Sequence, residues 1–405
     1  MNRLTRYSRS LGWILPVALL AGCWGHVELN RTSIVSGVAL EPGTEGHKLR
    51  VSFEALNPSE LSQTAGKGRS PSIIQTLEGN TLAEMISRLN VTSDRVPIPS
   101  HIGVVVFDEK LAREGMEPYL DVLQRSRYIR EDVMILISRG GPASNVLKVL
   151  YPRGGVSSAK VRMQIESLKK MGGGVAISRM SDLTQAMLIQ GREPLLSAVT
   201  IVGPPKEGES LDNTKSDVPS VVVEVAGTAV LREDNLMGFL SGEEAQWVEM
   251  ARGQMKVTTL SVPLEQKGMY TAVRLYNIQS KRNVSFRKGV PQLRMYVEAD
   301  GMIVGLQEDM PLNKVSGYLQ IDRLTQDYSR EHIKAAISKV QKEFGSDVFG
   351  FGEWLYRRHY QQFVPMAEEW NRKFAKAPVD VQVEIHIRRA ELKTNRVHKE
   401  KLTAN

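Results

Sequence analysis

The pattern of apolar and polar positions divides the chain into elements before composition is considered. Residues 34–56 read as two strands about a turn. Ile34 to Leu40 forms the first, the run from Glu41 to Gly46 breaks it, and Leu49, Val51 and Phe53 then alternate with Arg50, Ser52 and Glu54. That two-residue period belongs to a strand with opposite faces in different surroundings. The Ser-, Gly- and Lys-rich residues 57–72 read as a loop. Leu82, Met85, Ile86 and Leu89 share one stripe, which predicts a helix over 81–89. Ile102 to Phe107 is nearly continuous apolar sequence, as in a strand covered on both faces. A helix over 109–124 carries Leu111, Tyr119, Leu120 and Leu123, and Val133 to Ile137 returns as a second strand parallel to the first. Helical stripes follow at 143–150 and 180–189, and a strand at 196–202.

Residues 203–219 hold three prolines and six charged residues in no apolar pattern. They read as a linker. Short strands come next, at 221–231, 257–262, 271–278 and 293–297, and fit an antiparallel sheet. Ser329 and Glu331 suit a helix start. Ile333, Ala336, Ile337, Val340 and Phe344 follow on one face, with Gly345 as the stop. From Val379 to Ile387, Val and Ile alternate with polar residues, the clearest strand pattern in the chain.

The elements give an α/β (α+β) chain, multi-domain, with mixed sheets and helices packed on them. A chain of 405 residues exceeds what one core holds. The expected division is a leader at 1–22, an N-terminal α/β domain at 23–202 with room for two subdomains, and the linker at 203–219. A C-terminal α/β domain at 220–395 and a charged tail at 396–405 complete it.

The N-terminus changes the picture. Arg3, Arg6 and Arg9 precede an apolar run from Leu11 to Leu20, and Leu20-Ala21-Gly22-Cys23 follows. This is the order of an export signal peptide, with an apolar region too short to span a bilayer. The tetrapeptide resembles the bacterial lipobox. Its small residues admit the extended backbone to a peptidase, and the Cys23 thiol is the lipid-attachment site. Each buried methylene adds about 0.8 kcal/mol, so two or more acyl chains anchor firmly, palmitate-type chains among them. Cys23 is the chain's one cysteine, so neither an internal disulfide nor a cysteine zinc site can form. Removing the leader arginines lowers the formal charge from +8 to a mild +5. That excess suits an anionic membrane surface. Without a concentrated patch and stacking aromatics it does not suit nucleic acid.

The catalytic motifs sought do not form. Gly172-Gly173-Gly174 follows Lys169-Lys170, the wrong order for a phosphate loop. Gly350-x-Gly352 lacks the third glycine of a dinucleotide fingerprint, and the seven histidines make no zinc motif. His101, at the mouth of a strand, has two readings, a hydrogen-bonded structural role, which is favoured, and a catalytic one. No catalytic, cofactor or metal residue is therefore assigned. Phe349, Phe351, Trp354 and Tyr356 form an aromatic stretch with two readings: core packing, or a partner surface of the kind aromatics dominate.

Cys23-Trp24 with Glu28-Leu29-Asn30, Ser100-His101, Arg130-Glu131-Asp132-Val133, Gly227 to Leu231 and Leu236 to Leu240 stand in an informative order. So do Asp347-Val348-Phe349-Gly350-Phe351-Gly352-Glu353, Trp370, Phe374 and Ile387-Arg388-Arg389. The whole resembles the Ger(x)C family, the lipoprotein C subunits of spore nutrient-germinant receptors. It departs at Gly25, where the family carries an acidic residue, and at Leu231, where a phenylalanine is common. The resemblance implies a family-specific fold and a non-catalytic subunit on the outer face of the spore inner membrane. It implies two membrane partners, an A-type subunit with large soluble domains and a permease-like B-type subunit. Two other classes stay open: a solute-binding lipoprotein that captures a small nutrient in a cleft, and, less favoured, a cell-wall hydrolase.

If Cys23 carries the lipid, Cys23→Ala moves the protein out of the membrane fraction of fractionated cells. Retention in that fraction, at the wild-type level, would contradict the anchor.

Overall fold

The computed structural model describes residues 32–390 except 45, 58–69, 90–94, 153–154, 178, 308–309, 311 and 313. The leader, Leu20, Ala21, Gly22 and Cys23, the tail, and most of the loop expected at 57–72 lie outside the described residues.

Two mixed sheets carry the helices. The first has nine strands: β1 (Thr32–Pro42), β2 (Leu49–Leu56), β3 (Ser72–Gly79), β4 (Val96–Ile98), β5 (Val104–Asp108), β6 (Met134–Ser138), β7 (Leu195–Val202), β8 (Val222–Arg232) and β9 (Asn235–Leu240). Their order is β3-β2-β1-β5-β6-β7-β8-β9, with β4 beside β1. β1, β5, β6 and β7 run parallel, and an antiparallel pair closes each edge. The parallel centre explains the apolar runs of β5 and β6, whose side chains meet helices on both faces. On one face lie α1 (Leu82–Arg88), α2 (Glu109–Glu114), α3 (Glu117–Arg125) and α6 (Met180–Leu188). On the other lie α4 (Ala143–Lys148) and α5 (Ser157–Lys170).

The residues before α4 and α5 are Pro142 and Val156, neither of which has a side chain able to cap a helix. The sheet supplies the acceptors instead. Glu41 of β1 accepts the N–H of Ser144 at 2.6 Å. Glu54 of β2 accepts Ser157 N–H and Ser158 N–H at 2.9 and 3.1 Å, and the hydroxyls of Ser36 and Ser72 at 2.9 and 3.2 Å. Glu54 is fully buried. A carboxylate at a helix N-terminus satisfies orphan amides and meets the positive end of the dipole. Burial still pushes its pKa up, because the serine bonds only partly offset the lost hydration.

The second sheet is β10 (Val257–Pro263), β11 (Tyr270–Arg287), β12 (Val290–Leu306) and β13 (Val379–Ala390), in that order. β10, β11 and β12 are antiparallel, and β13 joins β12 in parallel. Its inner face packs on α7 (Gly242–Ala251), α8 (Val315–Lys339), α9 (Phe351–Arg358) and α10 (Trp370–Lys376). Along β13 the residues alternate buried and exposed, with Val381, Val383, Ile385 and Ile387 inward.

The segment 203–219 connects β7 and β8, which are antiparallel neighbours in one sheet. Buried Asn213 ties it down, donating to the carbonyls of Leu150 and Val221. The chain leaves the first sheet after β9, at α7, whose start is a capping box between Ser241 and Glu244. Two expectations need correction. The strands expected at 271–278 and 293–297 are arms of a hairpin of 18 and 17 residues, turned at Lys288 and Gly289, both at positive φ. Finally, α8 begins at Val315, not at Ser329, which is buried inside it; Tyr318, Ile321 and Leu324 extend its packed face. Gly345 ends it in the left-handed conformation, as its position implied.

Removing the Glu54 carboxylate takes the acceptor from two amides of α5 and the Ser72 hydroxyl, and leaves Ser36 only the Glu54 carbonyl. Glu54→Ala should lower stability by roughly 3 kcal/mol in urea denaturation. A loss under about 1 kcal/mol would show that α5 does not depend on the borrowed cap.

Candidate functional site: a signature loop between the sheets

The sequence block from Asp347 to Glu353 lies where the two sheet units meet. After Gly345 the chain turns through Ser346 and Asp347, both fully buried. The Asp347 carboxylate accepts three bonds at 2.8 Å each, from Gly350 N–H, Gly352 N–H and the indole N–H of Trp370. These bonds shape the loop and fix α10 against it.

The loop also grips the first unit. Glu193 N–H donates to the Asp347 carbonyl at 2.9 Å, and Glu353 N–H donates to the Gly191 carbonyl at 2.8 Å. The backbones touch: a Cβ on Gly352 would stand 2.6 Å from Gly191 Cα and 2.4 Å from Trp370 Nε1. Only glycine fits there. Around this seam, Glu193 accepts Asn371 Nδ2 at 2.6 Å and Glu233 N–H at 2.5 Å. Arg192 and Arg357 both pair with Glu353, at 3.2 and 2.6 Å. Arg232 donates to the Phe344 carbonyl.

The electrostatics follow from dryness. Burial pushes Asp347 up to about 6, although the amides and the indole oppose it. Burial likewise raises Glu193, against the bonds from Asn371 and Glu233. Arg282, facing Asp347 and Glu353, is lowered by burial, and those two acids pull it back up.

A second seam runs alongside. Burial drives Glu249 of α7 up, but Arg252 and Lys169 outweigh it and hold the carboxyl below its usual range. A Cβ on Gly174 would stand 1.7 Å from the Gly242 carbonyl oxygen, so the Gly172–Gly174 run serves close packing of the units. Between the seams opens a polar cleft of about 610 Å³, lined by Lys169, Arg179, Arg192, Arg252, Lys256 and three acids, Asp182, Glu193 and Glu249.

The aromatic stretch divides. Phe349 and Phe351 are fully buried and pack with Phe374, centroids 6.3 Å apart, so they belong to the core and line no surface. Trp354 is half-buried under the Arg358 guanidinium. Tyr356 is exposed and stacks edge-on with exposed Tyr360 at 5.4 Å. His101 is exposed, its ring 3.1 Å from the Ser100 hydroxyl. Among the described residues no group of three or more His, Cys, Asp or Glu could hold a metal. Sequence reading missed Glu193, Asn371 and Gly191 as partners of the signature, because contacts 24 to 178 residues apart leave no local pattern.

The arrangement defines a two-unit α/β protein whose most distinctive residues are spent on joining its halves. The chain belongs to the Ger(x)C family of spore germination proteins. Residues 25–201 match the model of the spore germination protein N-terminal domain, and residues 226–391 match that of the spore germination B3/GerAC-like C-terminal domain. Spore germination protein KC of Bacillus subtilis is 23% identical over 389 residues, covering 94% of this chain and 95% of its own. Spore germination protein B3 of the same organism is 20% identical over 371 residues, 91% and 94% of the two chains. The crystal structure of the GerBC protein superposes with a TM-score of 0.53 at 16% identity, covering 87% of this chain and 96% of that one. The fold is the same.

A carboxyl whose folded pKa is raised keeps its proton in the folded state after the unfolded chain has released it. Its stabilisation is complete below the unfolded value near 4 and is lost as pH rises through about 6. Between pH 5 and 7 the wild type should therefore lose about 1 kcal/mol more than Asp347→Asn. The variant itself should be weaker by roughly 1–3 kcal/mol at pH 5, since an amide cannot accept all three bonds. Thermal denaturation at the two pH values measures both, and parallel pH curves would contradict the assignment.

Proposed function

We propose that the chain is a membrane-anchored lipoprotein subunit of a spore nutrient-germinant receptor, needed for assembly or signalling of the receptor that triggers germination. The observation that carries this is the pair of family matches, which together run from residue 25 to 391 and begin just after Cys23. Among the described residues no helix is long and apolar enough to cross a membrane. In this reading the lipid on Cys23 tethers the protein to the outer face of the spore inner membrane. Tethering raises its local concentration beside the A-type and permease-like B-type subunits, so a modest interface suffices. The subunit performs no catalysis: the signature carboxylates are occupied by backbone amides, an indole and arginines. Its division into an N-terminal domain at 23–202 and a C-terminal domain at 220–395, joined by 203–219, is supported by the family matches at 25–201 and 226–391.

The exposed remainder of the aromatic stretch, Tyr356 and Tyr360 with Arg357 beside them, supports a partner surface of aromatic and arginine character. Tyr356→Ala with Tyr360→Ala should leave the fold and membrane fraction intact, reduce co-purification of the permease-like subunit at least tenfold, and slow nutrient-triggered germination. Full germination by spores lacking this protein would overturn the receptor reading itself.

A second reading, capture of a small anionic or zwitterionic nutrient, draws support from the polar cleft with its five basic residues. Calorimetry of the protein against amino acids and sugars separates the two. Saturable binding lost in Lys256→Glu would favour capture.

A further inference from the structure

The first unit contains a second cavity of opposite chemistry. It measures about 570 Å³, within the range of ligand pockets, and lies between the sheet, α1, β4 and α3. Val35, Phe53, Leu82, Ile98, Ile102 and Leu123 form its walls, and among the described residues no lining residue is charged. The polar side chains among those described are Ser87, Ser126 and Tyr128, and the Ser87 hydroxyl already donates to the Glu84 carbonyl. Water inside would lack partners. A zwitterionic amino acid or a sugar would lose hydration with nothing to replace it. A flexible hydrocarbon chain, by contrast, gains free energy with each methylene it buries.

The rim points to the same class of ligand. Tyr128 and Val96 are large apolar residues standing about half exposed at the cavity edge. The Arg127 guanidinium lies over the Tyr128 ring, 4.7 Å from its centroid. Neighbouring Arg125 and Arg130 are paired with Asp121 and Asp132, whereas Arg127 pairs with no carboxylate among the described residues. A ring with a polar tip beside a guanidinium that no described acid pairs with suits the level of a lipid headgroup. The chain also enters here. Thr32 to Ile34 pair with Val96 to Ile98, which flank and line the cavity, and Cys23 stands nine residues before Thr32. Nine residues reach at most about 32 Å.

We propose that this cavity takes one long acyl chain, with the polar end of the lipid held at the Arg127–Tyr128 rim. The placement near the membrane rests on the anchored reading above; the lining chemistry does not. The chain comes from a bilayer lipid beside the anchor or from Cys23 itself.

The test uses the full lipoprotein and its Cys23→Ser form, each mixed with vesicles of phosphatidylglycerol and phosphatidylcholine. The vesicles carry a trace of phospholipid with a photoreactive diazirine at the acyl end, and labelled peptides are mapped after irradiation. Flotation of the same samples reports anchoring separately, so loss of the anchor and loss of the cavity ligand are told apart. Labelling of α1, β4 and the 123–129 segment in the wild type supports the proposal with a bilayer lipid as the source. Labelling there in Cys23→Ser alone supports it with the protein's own chain as occupant. Ile86→Trp and Ile98→Trp, two independent fillings, should each cut that labelling at least tenfold, and Arg127→Glu severalfold. No labelling of these segments in either form, or equal labelling in both filled variants, overturns it.

Discussion

The buried carboxylate of Asp347 is the point on which the arrangement of the two units turns. Among the described residues no basic side chain forms an ion pair with it. Three neutral donors, two amides and an indole, replace its water, and each is placed by an element that packs elsewhere. Holding the two amides curls the loop so that its backbone, not its side chains, faces the first unit. Holding the indole brings α10 and Asn371 into position, and Asn371 in turn reaches Glu193 across the seam. The two units are thereby joined by backbone bonds at glycine distance, a geometry that tolerates no added methyl group.

The same device recurs within the first unit. Glu41 and Glu54 stand in strands yet terminate helices that begin on residues unable to cap themselves. Acids placed far from the amides they satisfy make each helix conditional on the sheet, and the sheet's edge conditional on the helix. Such contacts are costly to leave half-made, so the fold gains cooperativity where simple apolar packing would be permissive. The raised carboxyls at Glu54, Glu193 and Asp347 are the electrostatic mark of this construction.

The sequence displays elements whose burial follows a strict period. β5, β6 and β13 and the second half of α8 stand out because their neighbours cover one face or both. α5 was not legible: only Val161 and Ile165 of its apolar residues face inward, while Met163 and Leu168 lie outside. The distal part of the β11–β12 hairpin carries no apolar period, because Ser280 to Asn283 have polar side chains and pairing rather than burial keeps them extended. The segment 203–219 looked like a linker because its order comes from Asn213 bonding to distant carbonyls. Within the aromatic block, composition does not separate buried Phe349 and Phe351 from exposed Tyr356. The signature acid Asp347 was visible within a family pattern; its role as a hub depended on Gly191, Glu193 and Asn371.

Halves joined by such a seam move as one body, so that displacement of either is felt by the other. Differential scanning calorimetry of the wild type and Gly352→Ala tests that coupling directly. The added methyl group would collide with Gly191 of the first unit and with Trp370 at the edge of the loop. Coupling through the glycine seam predicts a single transition for the wild type and two resolved transitions for the variant. A single transition in the variant at the wild-type temperature would contradict it.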